Sequence, residues 1–315
     1  MEHEHRHAPA ARRARAGKPA RRRDDRLLSG KTRPPRRARD PRRKGTVVRR
    51  YRSDDKLVPV KDTNNVPAYW IRPPQQLSVA SGAHRFLWDL HYAPIPNVEP
   101  AYPIAAVYRS SAPDLTSPWA MPGRYSVVLK VDGKTLTEPL TVAMDPRVKT
   151  PLADLQTQFE LSMRLYEARM QLEPISEKLS SIATQLDAAR KKNSQAALTA
   201  AMDLVDKKIG DLAGVTNRRP GTQLSLGVVG RVSTLFGRLQ DADMPPTASV
   251  ETATAEVLRD AASVIERWRS IEQTDLPELR RQLKQAGLPD LNLSGRQIKY
   301  RPEWEEIDDD PRTEP

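Results

Sequence analysis

The second half of the chain carries an apolar residue at every third or fourth position. The first such stripe includes Leu152, Leu155, Phe159, Met163, Tyr166 and Met170. Because an α-helix turns once per 3.6 residues, this spacing gathers the apolar side chains on one face. Similar stripes at about 194–213, 224–241 and 248–273 predict three further helices. A short fifth helix, with Pro277 early, is expected to end at Gly287.

These helices can bury their apolar stripes against one another, so residues 150–290 are expected to form an α-helical bundle. The alternative is that the stripes form a groove for a partner helix. Thr150 is expected to cap the first helix, with Pro151 in its first position. Pro174 is expected to kink or break the same helix, because proline lacks an N–H group and its ring clashes with the preceding turn.

Residues 45–146 follow a different pattern, in which apolar residues alternate with polar ones or cluster in short runs. We expect strands at 45–51 and 83–92, and a hairpin with strands Tyr125–Val131 and Thr135–Ala143. The Asp-Gly pair between the hairpin strands favours the left-handed backbone of a tight turn. Proline-rich connections separate the strands, and proline is excluded from central strands. The pattern predicts an antiparallel β-sandwich.

Two histidines and two tryptophans of this region are the candidate site residues. His84 and His91 are seven residues apart on one predicted strand, which sends them to opposite faces, so we interpret both as structural. Trp70 and Trp119 lie in the proline-rich connections and are candidates for a surface that binds a sugar or a peptide. The alternative is that both indoles anchor their loops against the sheet.

No residue pattern in the chain indicates catalysis, a cofactor or a metal. The chain has no cysteine, which excludes thiolate metal sites and cysteine nucleophiles. Glycine-rich phosphate loops, HExxH and GxSxG are absent, and no two carboxylates of the β-rich region have a spacing that brings them together. No apolar run is long enough for a membrane span or a signal peptide, so the chain as written is expected in the cytoplasm.

The net positive charge is concentrated in the first 44 residues. They contain 17 of the 52 lysines and arginines and 5 of the 40 acidic residues, whereas residues 45–315 carry 35 of each sign. A basic arm of this kind is usually disordered and binds nucleic acids through their phosphates. It contains no aromatic residue on which bases could stack. A disordered tail with another role is a second interpretation.

The interpretation that we favour for residues 1–44 is a shifted reading frame. Arginine, alanine and proline dominate when GC-rich DNA is read out of frame. Permitted codons for Lys18–Leu28, shifted by one base, encode NPPDGAMIDY, which combines turn residues with a strand-like apolar run. In that case the first strands of the sandwich would be replaced by the basic run, and the sheet would have an open edge.

Three stretches carry a family resemblance: GTVVRRYRSDD, AYWIRPPQQLSVASGAHRFLWDLHYAP and MPGRYSVVLKVDGKTLTEPLTVAMDPRVKTPLADLQTQFEL. They resemble the C-terminal region of bacterial BNR-repeat, sortilin-like β-propeller proteins, which are often labelled glycosyl hydrolases or exo-sialidase-like. The resemblance covers about 45–290 and implies an Ig-like sandwich followed by a helical region. The lead into this sandwich in the family is also similar to the frame-shifted product. The preceding propeller is absent here, so no catalytic residue is carried over.

We therefore expect an α+β multidomain protein with a disordered basic segment at 1–44, an incomplete Ig-like sandwich at 45–146, a helical bundle at 150–290 and a solvated acidic tail at 291–315. The expected function is a non-catalytic accessory, structural or binding module of a secreted or periplasmic protein, without a cofactor. Its expected partner is a β-propeller, in the same or a separate polypeptide, or another protein. One alternative is part of a glycosyl hydrolase whose active site lies in the missing propeller. The other is a nucleic-acid-associated protein that acts through residues 1–44.

Overall fold

A computed structural model of the chain describes residues 26–33, 47–57, 66–96, 98, 101–102, 107–114, 116–193 and 195–293. An antiparallel sheet comes first and a set of helices follows, so the fold belongs to the α+β class, as predicted. We refer to residues 26–149 as the β half and to residues 150–293 as the helical half.

The sheet of the β half has four antiparallel strands in the spatial order β2-β1-β3-β4. Their bounds are β1 Arg26–Arg33, β2 Val47–Arg52, β3 Gly123–Val131 and β4 Lys134–Val142. The predicted hairpin is confirmed, since β3 and β4 pair along their whole length. Asp132 and Gly133 turn the chain with φ angles of 48° and 75°, the positive values that a two-residue turn requires.

β4 lies at the edge of the sheet, and the position of Pro139 suits that place. Val131 and Lys134 flank the turn and form a hydrogen-bonded pair, so every second pair along the hairpin is hydrogen-bonded. Pro139 faces Ser126 in one of the other pairs, where a backbone N–H would point away from β3. Proline removes that donor from the open edge, which discourages pairing with another strand.

The central place of β1 differs from the expectation that the basic segment lies outside the sandwich. The backbone of Arg26–Arg33 lies between β2 and β3 and pairs with both. The register opposes basic residues at three positions: Arg26 to Arg52, Arg26 to Lys130 and Arg33 to Arg124.

Residues 66–122 add a layer of extended chain to the β half. In the described part of this layer, two isolated bridges join distant segments. One is parallel, between Ile71 and Ser111, and the other is antiparallel, between His91 and Trp119. The layer is therefore held by short backbone contacts. The strand predicted at 83–92 is wrong, because within this range only His91 forms a backbone bridge.

Ring contacts attach this layer to the sheet. Phe86 lies edge-on to Tyr51 of β2, with ring centroids 4.6 Å apart. Trp88 lies edge-on to Tyr125 of β3 at 5.6 Å. Edge-to-face pairs at these separations add to the free energy gained by burial alone. The β half thus has two layers with aromatic side chains between them.

The alternation predicted for residues 83–92 is confirmed only in part. Phe86, Trp88 and Leu90 are partly buried and Leu87 is exposed, as the pattern predicts. His91, which strict alternation would place on the same exposed face as Leu87, is instead buried. Leu90 has a φ of 60°, a left-handed backbone that interrupts the two-residue period just before His91.

The helical half contains the predicted helices. Their bounds are α1 Leu152–Arg190, α2 Ala196–Ala213, α3 Gly227–Gln240, α4 Ala248–Ser270 and α5 Leu276–Gln285. A π-helical turn at Ile271–Asp275 joins α4 to α5. Thr247 caps α4 by accepting a hydrogen bond from the N–H of Val250. Gly287 ends the last helix with a φ of 70°, as predicted.

α1 is the central element of the bundle, since α2, α3 and α4 all contact it. The completely buried residues come from several helices: Leu165, Leu172, Leu179, Ile182, Leu186, Met202, Ile209, Leu276, Leu279 and Leu283. The apolar stripes therefore face one another, which favours the bundle-core interpretation over the partner groove.

Two details of α1 differ from the expectations. Pro151 occupies the N-cap position without a side-chain cap, and the hydroxyl of Thr150 instead donates to the carbonyl oxygen of Asp243 at 2.5 Å. The expected break at Pro174 is wrong, because α1 runs through this residue. Proline in a helix interior costs about 3 kcal/mol. Burial of Leu172 and Ile175 on either side of it offsets that cost.

A buried arginine links α1, α2 and the loop before α3. The side chain of Arg218 is 2% exposed, and it donates to Asp187 at 2.6 and 2.9 Å and to Asp206 at 2.6 Å. Arg190 contacts the same two carboxylates and Asp203. We call these five residues the ion-pair cluster. The hydrogen bonds from Arg218 hold the pKa of Asp187 below its ordinary value of 3.8.

Parts of both charged termini lie outside the described residues: 1–25, 34–46 and 294–315. The disorder expected for the basic segment and the solvation expected for the acidic tail stay predictions there. Within the described part of the chain, no helix is both long enough and apolar enough to cross a membrane.

Candidate binding surface

Trp70 ends a single 3₁₀ turn, Ala68–Trp70, in the extended layer of the β half. Its N–H donates to the carbonyl of Pro67 at 3.0 Å, which closes the turn. The carbonyl of Trp70 accepts the N–H of Ser111 at 3.2 Å, and the N–H of Arg72 donates to the carbonyl of Ser111 at 2.8 Å. These two bonds hold the Trp70 turn against residues 107–111.

Residues 107–111 form a tight loop that the buried Ser111 closes. The Ser111 hydroxyl accepts the N–H of Val107 at 2.7 Å and donates to the carbonyl of Val107 at 3.0 Å. Arg109 in this loop has a φ of 53°, in the left-handed region that favours glycine. Its guanidinium lies 5.9 Å from the ring centroid of Tyr108, within the range of a cation–π interaction.

The pairing of these two segments gathers three aromatic rings. The ring centroid of Tyr69 lies 6.4 Å from that of Trp70 and 6.4 Å from that of Tyr108. Tyr69 is 64% exposed and Tyr108 is 62% exposed, whereas Trp70 is partly buried. Arg72 lies beside them, with its Nη2 atom 3.3 Å from the carbonyl oxygen of Ser110. We call Tyr69, Trp70, Arg72, Tyr108 and Arg109 the aromatic patch.

Sequence reasoning found only one member of the aromatic patch as a candidate, Trp70. It missed Tyr69 and Tyr108, which meet only because a backbone bridge joins Ile71 to Ser111 across the proline-rich connections. The available signals were the Tyr-Trp pair and the Tyr-Arg pair, each near a turn. Neither pair predicts contact with the other, because the two pairs lie far apart in the sequence.

Trp119, the other candidate, lies at the junction of the two halves. Its ring centroid is 3.7 Å from that of His91, and its backbone N–H donates to Oε1 of Gln240 on α3 at 3.1 Å. The Trp119 side chain is 45% exposed. No ring contact or hydrogen bond between described residues joins it to the aromatic patch. These contacts are those of an anchor between the sheet layer and the bundle.

A crevice of about 60 Å³ lies beside Trp119. Its apolar lining includes Met121, Met144, Leu155 and Phe159, and Gln158 and Gln240 add polar groups. Pockets for small molecules typically have about 300–1,000 Å³. The crevice therefore has room for little more than water.

His91 is buried beneath Trp119. It is 2% exposed, its Nδ1 lies 2.7 Å from the carbonyl oxygen of Asp89, and its Nε2 has no partner among the described residues. Burial lowers the pKa of His91 from its ordinary value of 6.5, although the hydrogen bond to the Asp89 carbonyl and the Asp89 charge act in the opposite direction. His84, in contrast, is exposed, with its Nε2 atom 2.8 Å from the carbonyl oxygen of Ala80.

Further contacts join the β half to α1. The hydroxyl of Tyr166 donates to the carbonyl of Ala93 at 2.9 Å, and the rings of Tyr92 and Phe159 lie 5.8 Å apart. Arg49 of β2 donates to the carbonyl of Tyr92 at 2.9 Å, which extends the contact into the sheet. The helical half thus supports the layer that carries the aromatic patch.

Two carboxylates elsewhere in the β half form local ion pairs. Asp54 forms an ion pair with Arg52, and Asp145 forms one with Arg147, which lowers the pKa of the Asp145 carboxyl. Within the described residues, no group of three or more histidines and carboxylates is placed to hold a metal ion.

An open groove of about 490 Å³ separates α3 from α4. Gly227, Gly230 and Thr234 form its floor and leave it wide, because they carry little or no side chain. Its rim has charges of both signs, since Arg231 pairs with Asp260 at 2.6 Å.

No protein-family model, curated protein or solved structure matches the chain. The relationship to the BNR-repeat propeller proteins therefore stays a hypothesis that rests on the three stretches quoted above. The geometry of the aromatic patch is the firmer guide to function.

Proposed function

We propose that this chain is a non-catalytic accessory module that binds another protein through the aromatic patch. We further propose that it derives from the C-terminal region of a secreted or periplasmic β-propeller protein, and that its β half is an incomplete Ig-like sandwich. The observation that carries the proposal is the exposure of Tyr69 and Tyr108, two large rings fixed side by side by backbone pairing.

The composition of the patch supports a protein partner. Tyrosine, tryptophan and arginine are the residues that most often dominate the binding energy of protein interfaces. Each square ångström of apolar surface that a partner covers contributes about 25 cal/mol. The two exposed tyrosines have few rotatable bonds, so little side-chain entropy is lost when a partner covers them.

The layered β half supports the Ig-like interpretation. A sandwich buries side chains between two layers of extended chain, and the Tyr51–Phe86 and Trp88–Tyr125 ring contacts lie between such layers here. The Pro139 edge strand is also typical of an antiparallel sandwich. The helical half then follows the sandwich along the chain, in the order that the resemblance implies.

The coding DNA upstream of residue 45 tests the origin of the chain. We expect an open reading frame for a β-propeller that is one base out of register with this chain. Upstream DNA without propeller repeats would contradict the propeller origin but would leave the aromatic patch as a binding surface.

The propeller encoded there then provides a direct binding test. We expect the purified propeller to bind this chain, and the double variant Tyr69→Ala, Tyr108→Ala to weaken binding by more than tenfold, as loss of two interface tyrosines would. Leu136→Ala is the matched control, because Leu136 is 60% exposed on β4, outside the patch. Equal loss in the control would contradict the assignment of the surface.

Two assays address the other classes of function. Binding to duplex DNA that falls steeply with salt and disappears without residues 1–44 would favour a nucleic-acid-associated protein. Turnover of a fluorogenic glycoside by this chain alone would favour a glycosyl hydrolase.

A further inference from the structure

We infer that the aromatic patch recognises an acidic segment of a polypeptide. This inference rests on the proposed function, because it names the chemistry of the partner at the same surface. Its elements are two arginines that have no carboxylate partner among the described residues, a left-handed backbone at one of them, and exposed tyrosines beside both.

Arg72 and Arg109 are the charged members of the patch. The described contacts of Arg72 beyond its own backbone are with the carbonyl and the hydroxyl of Ser110 at 3.3 and 3.4 Å, both long for hydrogen bonds. The guanidinium of Arg109 lies over the Tyr108 ring. Among the described residues, neither arginine forms an ion pair with a carboxylate.

The backbone of Arg109 adopts a conformation that is unfavourable for arginine. A φ of 53° costs an arginine free energy that glycine would not lose. The loop already has its closing hydrogen bonds from Ser111, so it does not need the arginine to form. Strain of this kind, held by surrounding structure, is a feature of binding sites.

A polypeptide fits these groups better than a nucleic acid. Phosphate binding needs a broad basic surface, yet residues 45–315 carry equal numbers of basic and acidic residues. Two guanidinium groups can instead donate bidentate hydrogen bonds to a few carboxylates, and the exposed rings of Tyr69 and Tyr108 can pack against the apolar side chains between those carboxylates.

The test uses the full chain and a fluorescein-labelled peptide of repeated Glu-Glu-Tyr units. Fluorescence anisotropy at physiological salt is expected to show binding, and a Gln-Gln-Tyr peptide is expected to bind about tenfold more weakly, the effect of losing charge-assisted hydrogen bonds. Equal binding of the two peptides would overturn the inference.

Arg109→Gly separates a binding role from a structural one. Glycine relieves the left-handed backbone, so the midpoint of thermal unfolding should stay the same or rise. Affinity for the acidic peptide should fall about tenfold. Lys134→Gln, which removes an exposed positive charge on β4, is the matched control and should change affinity less than twofold. Unchanged affinity in Arg109→Gly would overturn the inference.

Photo-crosslinking separates this surface from the basic segment, which also attracts acidic peptides. With benzoylphenylalanine in place of the peptide tyrosine, crosslinks should map to residues 69–72 and 107–111. Crosslinks confined to residues 1–44 would overturn the inference. If the propeller binds through the patch but the acidic peptide does not, the proposed function survives and only the partner chemistry is wrong.

Discussion

The two halves of the molecule bury apolar surface in different ways. The helical half has one continuous buried cluster that follows α1 and draws on every other helix of the bundle. In the described part of the β half, the corresponding cluster consists of Val48, Ala120 and Tyr125. The β half relies instead on ring contacts, backbone bridges and its junction with α1.

This difference indicates a division of roles. Burial of apolar area is the main favourable term in folding, so we expect the helical half to hold most of the stability of the chain. The β half buries less apolar area because much of it consists of proline-rich connections. Those connections place large aromatic residues at the surface. A stable support and a less stable binding layer are a common arrangement.

The largest effect is expected in the ion-pair cluster. Arg218→Ala would leave the partly buried carboxylates of Asp187 and Asp206 with Arg190 as their remaining ion-pair partner and should lower the free energy of unfolding by about 3–5 kcal/mol. Urea denaturation followed by far-ultraviolet circular dichroism measures this loss. Arg231→Ala breaks an exposed ion pair with Asp260 and should cost about 1 kcal/mol or less. Similar losses in both variants would contradict the buried role of Arg218.

A somewhat smaller effect is expected in the core of the β half. Tyr125→Ala removes the ring that packs on Trp88 and should cost the β half about 3 kcal/mol. The near-ultraviolet circular dichroism of the tryptophans should weaken while the helical signal persists. Tyr125→Phe keeps the ring and loses only the hydrogen bond to Met121, so it should cost about 1 kcal/mol. Loss of helix in Tyr125→Ala would show that the halves unfold together.

The halves should also differ in their response to acid. His91 is neutral above pH 6.5 in both the folded and the unfolded chain. Below pH 6.5 the unfolded chain binds a proton that the folded β half resists, because burial lowers the pKa of His91. The free energy of unfolding of the β half should therefore decrease from pH 6.5 downward until the pH reaches the folded pKa.

The helical half should remain folded to a lower pH than the β half. The lowered pKa of Asp187 stabilises the folded bundle above the ordinary value of 3.8, and this contribution is lost as the pH falls through the folded pKa. Chemical denaturation at a series of pH values, followed by tryptophan fluorescence and by helical circular dichroism, compares the two responses. His91→Asn should remove the decrease below pH 6.5, whereas His84→Asn should not. A decrease that persists in His91→Asn would assign it to another group.

The smallest effect on stability is expected at the sheet edge. Pro139→Thr restores an outward N–H on β4 and should change the free energy of unfolding by less than about 0.5 kcal/mol, the usual range for surface positions. It should nevertheless promote self-association, because the edge regains a donor. Sedimentation velocity at increasing protein concentration measures this, with Thr137→Val as a control that leaves the backbone donors unchanged. A monomeric Pro139→Thr variant would contradict the protective role of the proline.

Features with a local cause could be predicted from the sequence. The hairpin follows from Asp132-Gly133, and the helices follow from apolar stripes whose period matches an α-helix. Predictions from the local sequence were wrong where contacts between residues distant in the sequence determine the structure. Thr150 does not cap α1, because its hydroxyl binds Asp243 far along the chain, and Pro174 does not break α1, because the bundle core buries its neighbours.

The candidate site was harder to predict for the same reason. Trp70 and Trp119 are both large aromatic residues in proline-rich connections, yet one joins an exposed patch and the other anchors the junction with α3. The sequence around each tryptophan does not indicate which of these two environments it will occupy. The left-handed backbone of Leu90 and Arg109, neither of which is glycine, is likewise set by tertiary contacts.

The place of β1 in the sheet has a consequence for biosynthesis. During translation β1, Arg26–Arg33, is synthesised first and β2 follows soon after. Its second neighbour in the sheet, β3, is synthesised only after the proline-rich layer. During that interval one edge of β1 has no strand with which to form hydrogen bonds. Pairing between strands that are far apart in the sequence is slow. A second nascent chain could supply β3 in the meantime. The order of strands thus makes strand exchange between two nascent chains the characteristic misfolding risk for this protein during synthesis.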